Sequence, residues 1–195
     1  ESNKGIGGAM KSGFIYALKF SPEIVIKIDS DGQMDPILIP KLIEPLLEGT
    51  SELTKGNRFT NPKSIRKMPI IRIIGNIGLG FITKLSTGYW ELFDPTNGFI
   101  ALRAEVLKEI SLEKIDNGYF FETDLLFRCS LNNTLISEIS MEAVYDTENS
   151  SLNPFKEFFR FFYKHINIFF KRLTYQYFLL DFNPGSLMLC LGFIF

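Results

Sequence analysis

The chain has 195 residues, enough to bury one sizeable core, and a formal net charge of −1. That balance leaves no broad basic surface, so nucleic acid is not an expected partner. Cys129 and Cys190 form no CxxC and no Cys/His cluster, so they read as structural thiols of a reducing compartment, with no disulfide or zinc site. The only histidine, His165, falls far from the carboxylates in a Phe-rich segment and reads as an interface residue, which argues against Ser-His or Cys-His nucleophilic chemistry.

In chain order, Asn3-Lys4-Gly5-Ile6-Gly7-Gly8 reads as a flexible Gly-rich loop that opens a helix over Ala9–Phe20. Such a loop can cradle phosphate, and tight packing explains its glycines equally well. Glu23 to Ile28 reads as a buried strand. Asp35 and Pro36 cap a helix that runs to about Glu48, with Pro45 expected to bend it or end it early. Leu53–Gly56 reads as a short strand, residues 60–69 as a loop, and Ile70–Leu85 as an apolar helix too short to span a membrane. A turn at Asp94–Gly98 leads to a strand over Phe99–Arg103 and a short helix over Ala104–Ile110. A helix follows over Phe121–Leu131 and a strand over Leu135–Ile139. Alternating strands and helices imply an α/β fold with a mostly parallel sheet and flanking helices.

The most informative stretch is Lys27-Ile28-Asp29-Ser30-Asp31-Gly32-Gln33. Side chains alternate along a strand, so Asp29, Asp31 and Gln33 share one face if strand geometry persists past its end. Hard oxygen ligands at the carboxyl end of a buried strand suit Mg²⁺ or Mn²⁺ carrying a diphosphate. The plainer reading is a polar turn, with Asp35-Pro36 capping the next helix.

Six pieces then recur in a fixed order: Asn3-Lys4-Gly5-x-Gly7-Gly8-Ala9, Asp29-x-Asp31-x-Gln33, Lys55-Gly56-Asn57-Arg58-Phe59, Arg72-x-x-x-Asn76, Asp94-x-x-Asn97-Gly98-Phe99 and Phe121-Glu122-x-Asp124. Together they resemble the family 2 glycosyltransferases of the GT-A (Rossmann-like) fold. The resemblance is to the branch of dolichol-phosphate mannose synthases and bacterial polyprenyl-phosphate glycosyltransferases, and it covers residues 1–150. It implies a nucleotide-sugar donor and a polyprenyl phosphate acceptor. It also implies that Asp31 and Gln33 ligate Mg²⁺ or Mn²⁺, and that Asp29 faces the ribose or the metal's outer shell. Arg72 and Asn76 are implied phosphate contacts, with Asn76 standing where the family often has Ser. Asp94 is implied as the essential carboxylate beside the transferred sugar, with Asn97 in the same turn as a substrate contact. The strand, helix and strand that bind the nucleotide base in that family are missing, so the chain reads as N-terminally truncated and inactive alone.

A phosphate acceptor is already anionic near neutral pH, so strong general-base help is less necessary. Asp94, Glu122 and Asp124 then orient sugar and acceptor more than they remove a proton; for Glu122 and Asp124, capping of a helix N-terminus is the plainer reading. Arg58 and Arg72 suit the acceptor phosphate, because guanidinium forks match phosphate oxygens. For Arg58 a loop-end ion pair is the competing reading.

Near the C-terminus, Phe155, Phe158, Phe159, Phe162, Ile166, Phe169, Phe170 and Leu173 recur at helical steps, with Lys156, Arg160, Lys164 and Lys171 on the other side. A basic, aromatic amphipathic helix suits an anionic membrane surface, though a helix docked on the protein's own core has the same pattern. Gly185–Phe195 reads as the first half of a transmembrane helix cut at Phe195. The expected organisation is a partial GT-A domain over 1–150, a juxtamembrane region over 151–178 and the start of a span over 179–195. The catalytic domain is expected on the cytoplasmic side of a membrane, in cell-envelope glycan biosynthesis, with homo-oligomerisation left open. Two alternatives stand beside this reading. One is a family 2 transferase acting on polysaccharide or other glycan acceptors, although Gln-x-x-Arg-Trp is absent around Trp90. The other is a non-catalytic membrane module that binds nucleotide-sugar.

Overall fold

The structure, a computed structural model, describes residues 3–60, 70–142 and 154–194; for 71–72, 154–158 and 193 it describes the backbone only. Most of the expected loop at 60–69 lies outside the described residues, as do the side chains of Arg72, Phe155, Lys156 and Phe158.

Helix α1 (Gly5–Leu18) is followed by strand β1 (Ile24–Lys27). A 3₁₀ turn at Pro36–Leu38, capped by Asp35 Oδ1 on the Ile37 N–H at 2.9 Å, opens helix α2 (Ile39–Leu47). Pro45 sits inside α2 without ending it, and its carbonyl accepts the Thr50 and Ser51 N–H groups where the chain turns into strand β2 (Leu53–Asn57). Helix α3 (Ile70–Thr87), strand β3 (Ile100–Arg103), helix α4 (Ala104–Glu109), helix α5 (Phe121–Leu131) and strand β4 (Ile136–Ser140) complete the α/β part. Helix α6 (Pro154–Thr174) passes through a π-helical turn at Tyr175–Leu179 to helix α7 (Pro184–Ile194).

The sheet order is β1-β3-β2-β4. β3 is antiparallel to both β1 and β2, and only β2 and β4 pair parallel. The sheet is therefore mixed, which corrects the expectation of a mostly parallel one. The tight Asp94–Gly98 turn feeds β3 in from the catalytic edge, so it runs opposite to its neighbours. The alternation in β3 loads both faces. Ile100 and Leu102 join Phe14, Val25, Leu53, Phe121 and Leu125 under α1 and α5, while Phe99 and Ala101 join Leu42, Leu46 and Ile139 under α2.

α6 docks on this body through Phe161, His165, Ile168 and Arg172. Ile168 packs with Phe120 and Phe127 of the α5 region. Arg172 Nε and Nη2 each donate at 3.1 Å to the carbonyls of Ser86 and Leu85, satisfying the last turn of α3. His165 Nδ1 lies 2.8 Å from Ser86 Oγ, as an interface residue should. Lys164, assigned by its spacing to the lipid-facing basic side, instead pairs with Asp116. Phe159, Phe162, Ile166 and Phe170 stay exposed, and Phe169 and Leu173 are half-buried. α3 exposes a second stripe: Ile70, Ile74, Ile77 and Phe81. Among the described residues no helix is long and apolar enough to cross a membrane; α7 has 11 residues and exposes Leu187, Met188, Leu191 and Ile194. Cys129 is buried, which pushes its thiol up to about 12, and Cys190 is exposed; both are free.

Candidate active site

The carboxyl ends of β1, β2 and β4 and the amino end of β3 meet at one sheet edge, where Lys27 and Lys55 both face Ile100 in register and Asn57 faces Ser140. Two polar clusters form there.

The first centres on Lys27, the last residue of β1. It shares a strand face with Val25, so its stem runs into the apolar layer below α5. Its Nζ donates to Asp29 Oδ2 at 2.9 Å and Glu122 Oε1 at 3.1 Å, and lies 5.5 Å from the Phe121 ring centre. Gly98 closes the cluster from the β3 side. A Cβ there would stand 2.6 Å from Asp29 Oδ2 and 2.9 Å from Glu122 Oε1, and closer still to Lys27 Nζ. Any larger residue at that position of the Asn-Gly-Phe turn would push these charged groups from their places.

The second cluster centres on Asp94, which is fully buried. Arg58 donates Nε to Asp94 Oδ2 at 2.7 Å and Nη2 to Oδ1 at 2.9 Å, and its own N–H reaches Oδ2 at 3.1 Å. Asn97 Nδ2 adds a longer bond to Oδ2 at 3.3 Å. From β4, Glu138 accepts the N–H groups of Phe93 and Asp94 at 3.0 and 2.8 Å, and Asn57 Nδ2 at 2.6 Å. Burial raises the Glu138 pKa, and the hydrogen bonds from Asp94, Phe93 and Asn57 pull it back. Beneath the turn, Lys55 is fully buried and donates to the Asn97 carbonyl at 2.6 Å. Burial lowers its pKa, while Glu122 and Asp94 act to raise it.

The sheet edge thus unites Asp29, Arg58, Asp94, Asn97 and Glu122. Asp124 is not brought there. Two residues past Glu122 on α5, it accepts the Asp116 N–H at 2.8 Å and pairs with Arg128 at 3.5 Å, and burial raises its pKa. This is a helix-start carboxylate tying down the loop before α5. That loop also explains the N-terminal glycines, which lie within α1. The Gly8 N–H is taken by the Asn117 carbonyl at 3.1 Å, and a Cβ on Gly7 would stand 2.8 Å from Phe121 Cβ. They serve close packing against the entrance to α5.

β1 ends at Lys27, so strand alternation does not reach Asp31 and Gln33. They lie in a turn with Gly32 at φ 75°, where Asp31 Oδ1 accepts the Gln33 N–H at 3.0 Å. Asp31 is exposed and Gln33 half-buried. Among the described residues no three His, Cys, Asp or Glu side chains converge on a metal position. The carboxylate and carboxamide oxygens of Asp31 and Gln33 have the hard-donor chemistry that Mg²⁺ or Mn²⁺ takes, but they supply a small part of a six-oxygen shell.

Asn76, on α3, lines an apolar cleft of about 460 Å³ with Phe59, Ile73, Ile77, Phe81 and Phe93. Phe59 and Phe93 directly follow Arg58 and precede Asp94, so the cleft adjoins that pair. The sequence reading missed Lys27, Lys55 and Glu138. A lysine two residues before Asp29 in an apolar run was the available signal for Lys27, because it must face the same way and find a counter-charge.

The family model for glycosyl transferase family 2 matches residues 1–111, and the chain belongs to that family. Among curated proteins it is similar to the UDP-N-acetylglucosamine–dolichyl-phosphate N-acetylglucosaminyltransferase of Methanococcus voltae, with 34% identity over 145 residues, covering 74% of this chain and 57% of the relative. It is similar also to the polyprenol monophosphomannose synthase of Mycolicibacterium smegmatis, with 28% identity over 139 residues, covering 71% of this chain and 52% of the relative. The chain thus spans little more than half the length of these relatives. The fold is shared with glucosyl-3-phosphoglycerate synthase from Mycobacterium tuberculosis, solved in complex with Mn²⁺, uridine-diphosphate-glucose and glycerol 3-phosphate. That match has a TM-score of 0.60 at 20% identity and covers 86% of this chain and 55% of that one. The chain therefore carries a glycosyl transferase family 2 domain with a GT-A-like α/β fold, and its relatives include proteins named as polyprenyl-phosphate sugar transferases.

Proposed function

We propose that this protein transfers a sugar from a nucleotide-diphosphate sugar to a polyprenyl phosphate at a membrane surface, with Mg²⁺ or Mn²⁺ as cofactor. The observation that carries the acceptor class is the position of Arg58. Its guanidinium, held in one orientation by Asp94, stands beside an apolar cleft that begins at the next residue, Phe59. A phosphate on Arg58 can then continue into an apolar chain in that cleft. A small hydrophilic phosphate acceptor has no use for the cleft, nor for the exposed stripes of α3 and α6.

In this reading the reacting phosphate oxygen is already anionic and needs no base, which agrees with the burial of Asp94 against Arg58. Asp94 positions Arg58. Asn97 and Glu122 line the sugar side, and Asp29 faces the nucleotide. Asp31 and Gln33 would hold the divalent cation, which neutralises charge on the leaving nucleoside diphosphate. A solved structure that shares this fold carries Mn²⁺ and uridine-diphosphate-glucose, which supports a divalent cation as the cofactor. Arg72 and Asn76 remain proposed phosphate contacts, and Asp124 a support for the α5 entrance. The stripes of α3 and α6 would lie on lipid, with the exposed face of α7 nearby.

The test is a donor screen on the full-length protein in membranes, with polyprenyl phosphate and Mn²⁺ or Mg²⁺. Transfer of labelled sugar into the lipid fraction is expected, and loss of transfer on adding a chelator. Sugar transfer only to water-soluble acceptors would overturn the acceptor assignment.

A further inference from the structure

A lysine buried at the end of a strand is costly unless its charge is matched. Lys27 is almost wholly buried, and both carboxylates that match it are groups the reaction is expected to use. Asp29 comes from the loop after β1 and Glu122 from the first turn of α5. Lys27 bonds Oδ2 of Asp29 and Oε1 of Glu122, which leaves each carboxylate one oxygen not bonded to the lysine. Gly98 stands against the tips of all three side chains, so that a Cβ there would force them to shift. Asp31, the remaining carboxylate of the turn, has one oxygen committed to the Gln33 N–H.

We propose that Lys27 is a positioning residue that withholds Asp29 and Glu122 from a divalent cation, so that the metal enters together with the donor diphosphate and not ahead of it. The inference rests on the metal-dependent reading above. Lys27 does in advance what a cation would otherwise do, neutralising two carboxylates at the bottom of the site. The Asp31–Gln33 turn is then left with too few oxygens to retain Mg²⁺ or Mn²⁺ alone, and the missing ligands must come from phosphate oxygens and water. A free cation is then not trapped in an unproductive position, and the second oxygens of Asp29 and Glu122 stay available for hydroxyl groups of the donor.

The test is calorimetric titration of the full-length protein with Mn²⁺ alone, and with Mn²⁺ in the presence of UDP or GDP. Wild type should bind Mn²⁺ at least about tenfold more tightly with one of the nucleotides than without. Lys27→Met should bind Mn²⁺ alone about tenfold more tightly than wild type, because two carboxylates are released and one positive charge is removed. Adding Glu122→Gln to Lys27→Met should return much of that gain. A merely structural ion pair predicts lower thermal stability in Lys27→Met and an unchanged affinity for Mn²⁺ alone; that result overturns the inference and leaves the metal-dependent reading standing. Equal wild-type affinity with and without nucleotide also overturns it, and needs no variant to fold. Absence of Mn²⁺ binding under every condition sinks the metal-dependent reading and the inference with it.

Discussion

Asp94 holds Arg58 through both carboxylate oxygens, at 2.7 and 2.9 Å, with the carboxylate fully buried and the guanidinium side chain 24% exposed. The two residues lie 36 positions apart: Arg58 directly follows β2, and Asp94 opens the turn that leads into β3. Under the proposed function, the pairing gives the buried acid a role without proton transfer: it fixes a guanidinium next to the apolar cleft, which Lys84 also lines.

Asp94→Asn keeps the shape and removes the charge. Charge-assisted hydrogen bonds are worth about 1.5–3 kcal/mol, so a stability loss of that order is expected, seen as a lower urea midpoint with unchanged slope. Turnover should fall about a hundredfold, with KM for the lipid phosphate raised and nucleotide affinity nearly intact, because the loosened group is Arg58. Wild-type turnover would reduce Asp94 to a turn residue.

Glu138 carries the next link, since it accepts the Phe93 and Asp94 N–H groups and Asn57 Nδ2. Glu138→Gln leaves one oxygen where three donors converge, so one donor meets an amide NH₂. A cost of about 1–3 kcal/mol is expected. The pH dependence separates this effect from general damage. The folded-state pKa of Glu138 is raised by burial above its unfolded value. Its contribution to stability is therefore present below the unfolded pKa and is lost as pH rises through the folded one. Denaturation midpoints of wild type against Glu138→Gln should diverge across that rise, and parallel curves would remove the link.

Much of the architecture was legible because its signals are local. The helix over Phe121–Leu131 begins and ends where the apolar period does, and Phe99–Arg103 alternates cleanly between two cores. Strand direction was not legible, because a short strand after a turn carries no mark of which way it runs; hence the mixed sheet. Asp29, Arg58, Asp94, Asn97 and Glu122 were named from the sequence and do meet at one sheet edge, but Asp124 does not join them and the pairings themselves were not legible. Nothing near Lys27 announces Glu122, 95 positions away, and nothing near Glu138 announces Asp94. The shared face expected for Asp29, Asp31 and Gln33 depended on strand geometry persisting past the strand's end. It does not persist: β1 stops at Lys27 and the chain enters a turn with Gly32 at positive φ.

His165 predicts an acid limit of stability in the opposite sense to Glu138. Burial between α3 and α6 lowers its pKa to about 4, and its Nε2 has no hydrogen-bond partner among the described residues. A lowered histidine pKa means that the unfolded chain binds the proton first. Stability is then full above pH 6.5 and falls as pH drops toward 4, by about 3 kcal/mol. His165→Gln can keep a bond to Ser86 and does not titrate, so urea midpoints at pH 7 and pH 4.5 should differ less in this variant than in wild type. An equal loss in both would place the acid-sensitive group elsewhere.

The membrane surface gives the last prediction, with residues chosen by exposure and not by spacing alone. Phe159, Phe162 and Phe170 of α6, and Ile74, Ile77 and Phe81 of α3, are exposed, whereas Phe169 is half-buried and belongs partly to the helix's docking side. Replacing the three α6 phenylalanines by Ser removes about 1.5–3 kcal/mol of lipid affinity for each side chain that becomes fully buried. The same triple change on α3 should act separately if both stripes meet one bilayer. Exposed Lys171 adds about 1 kcal/mol on anionic lipid, whereas Lys164, committed to Asp116, adds little. Co-sedimentation with phosphatidylserine vesicles should fall for each triple variant and fall further with added salt, while Lys164→Gln should lower thermal stability more than vesicle binding. If the α3 variant binds vesicles as wild type does and the α6 variant does not, lipid meets α6 alone. If neither loses binding, both stripes face something other than lipid.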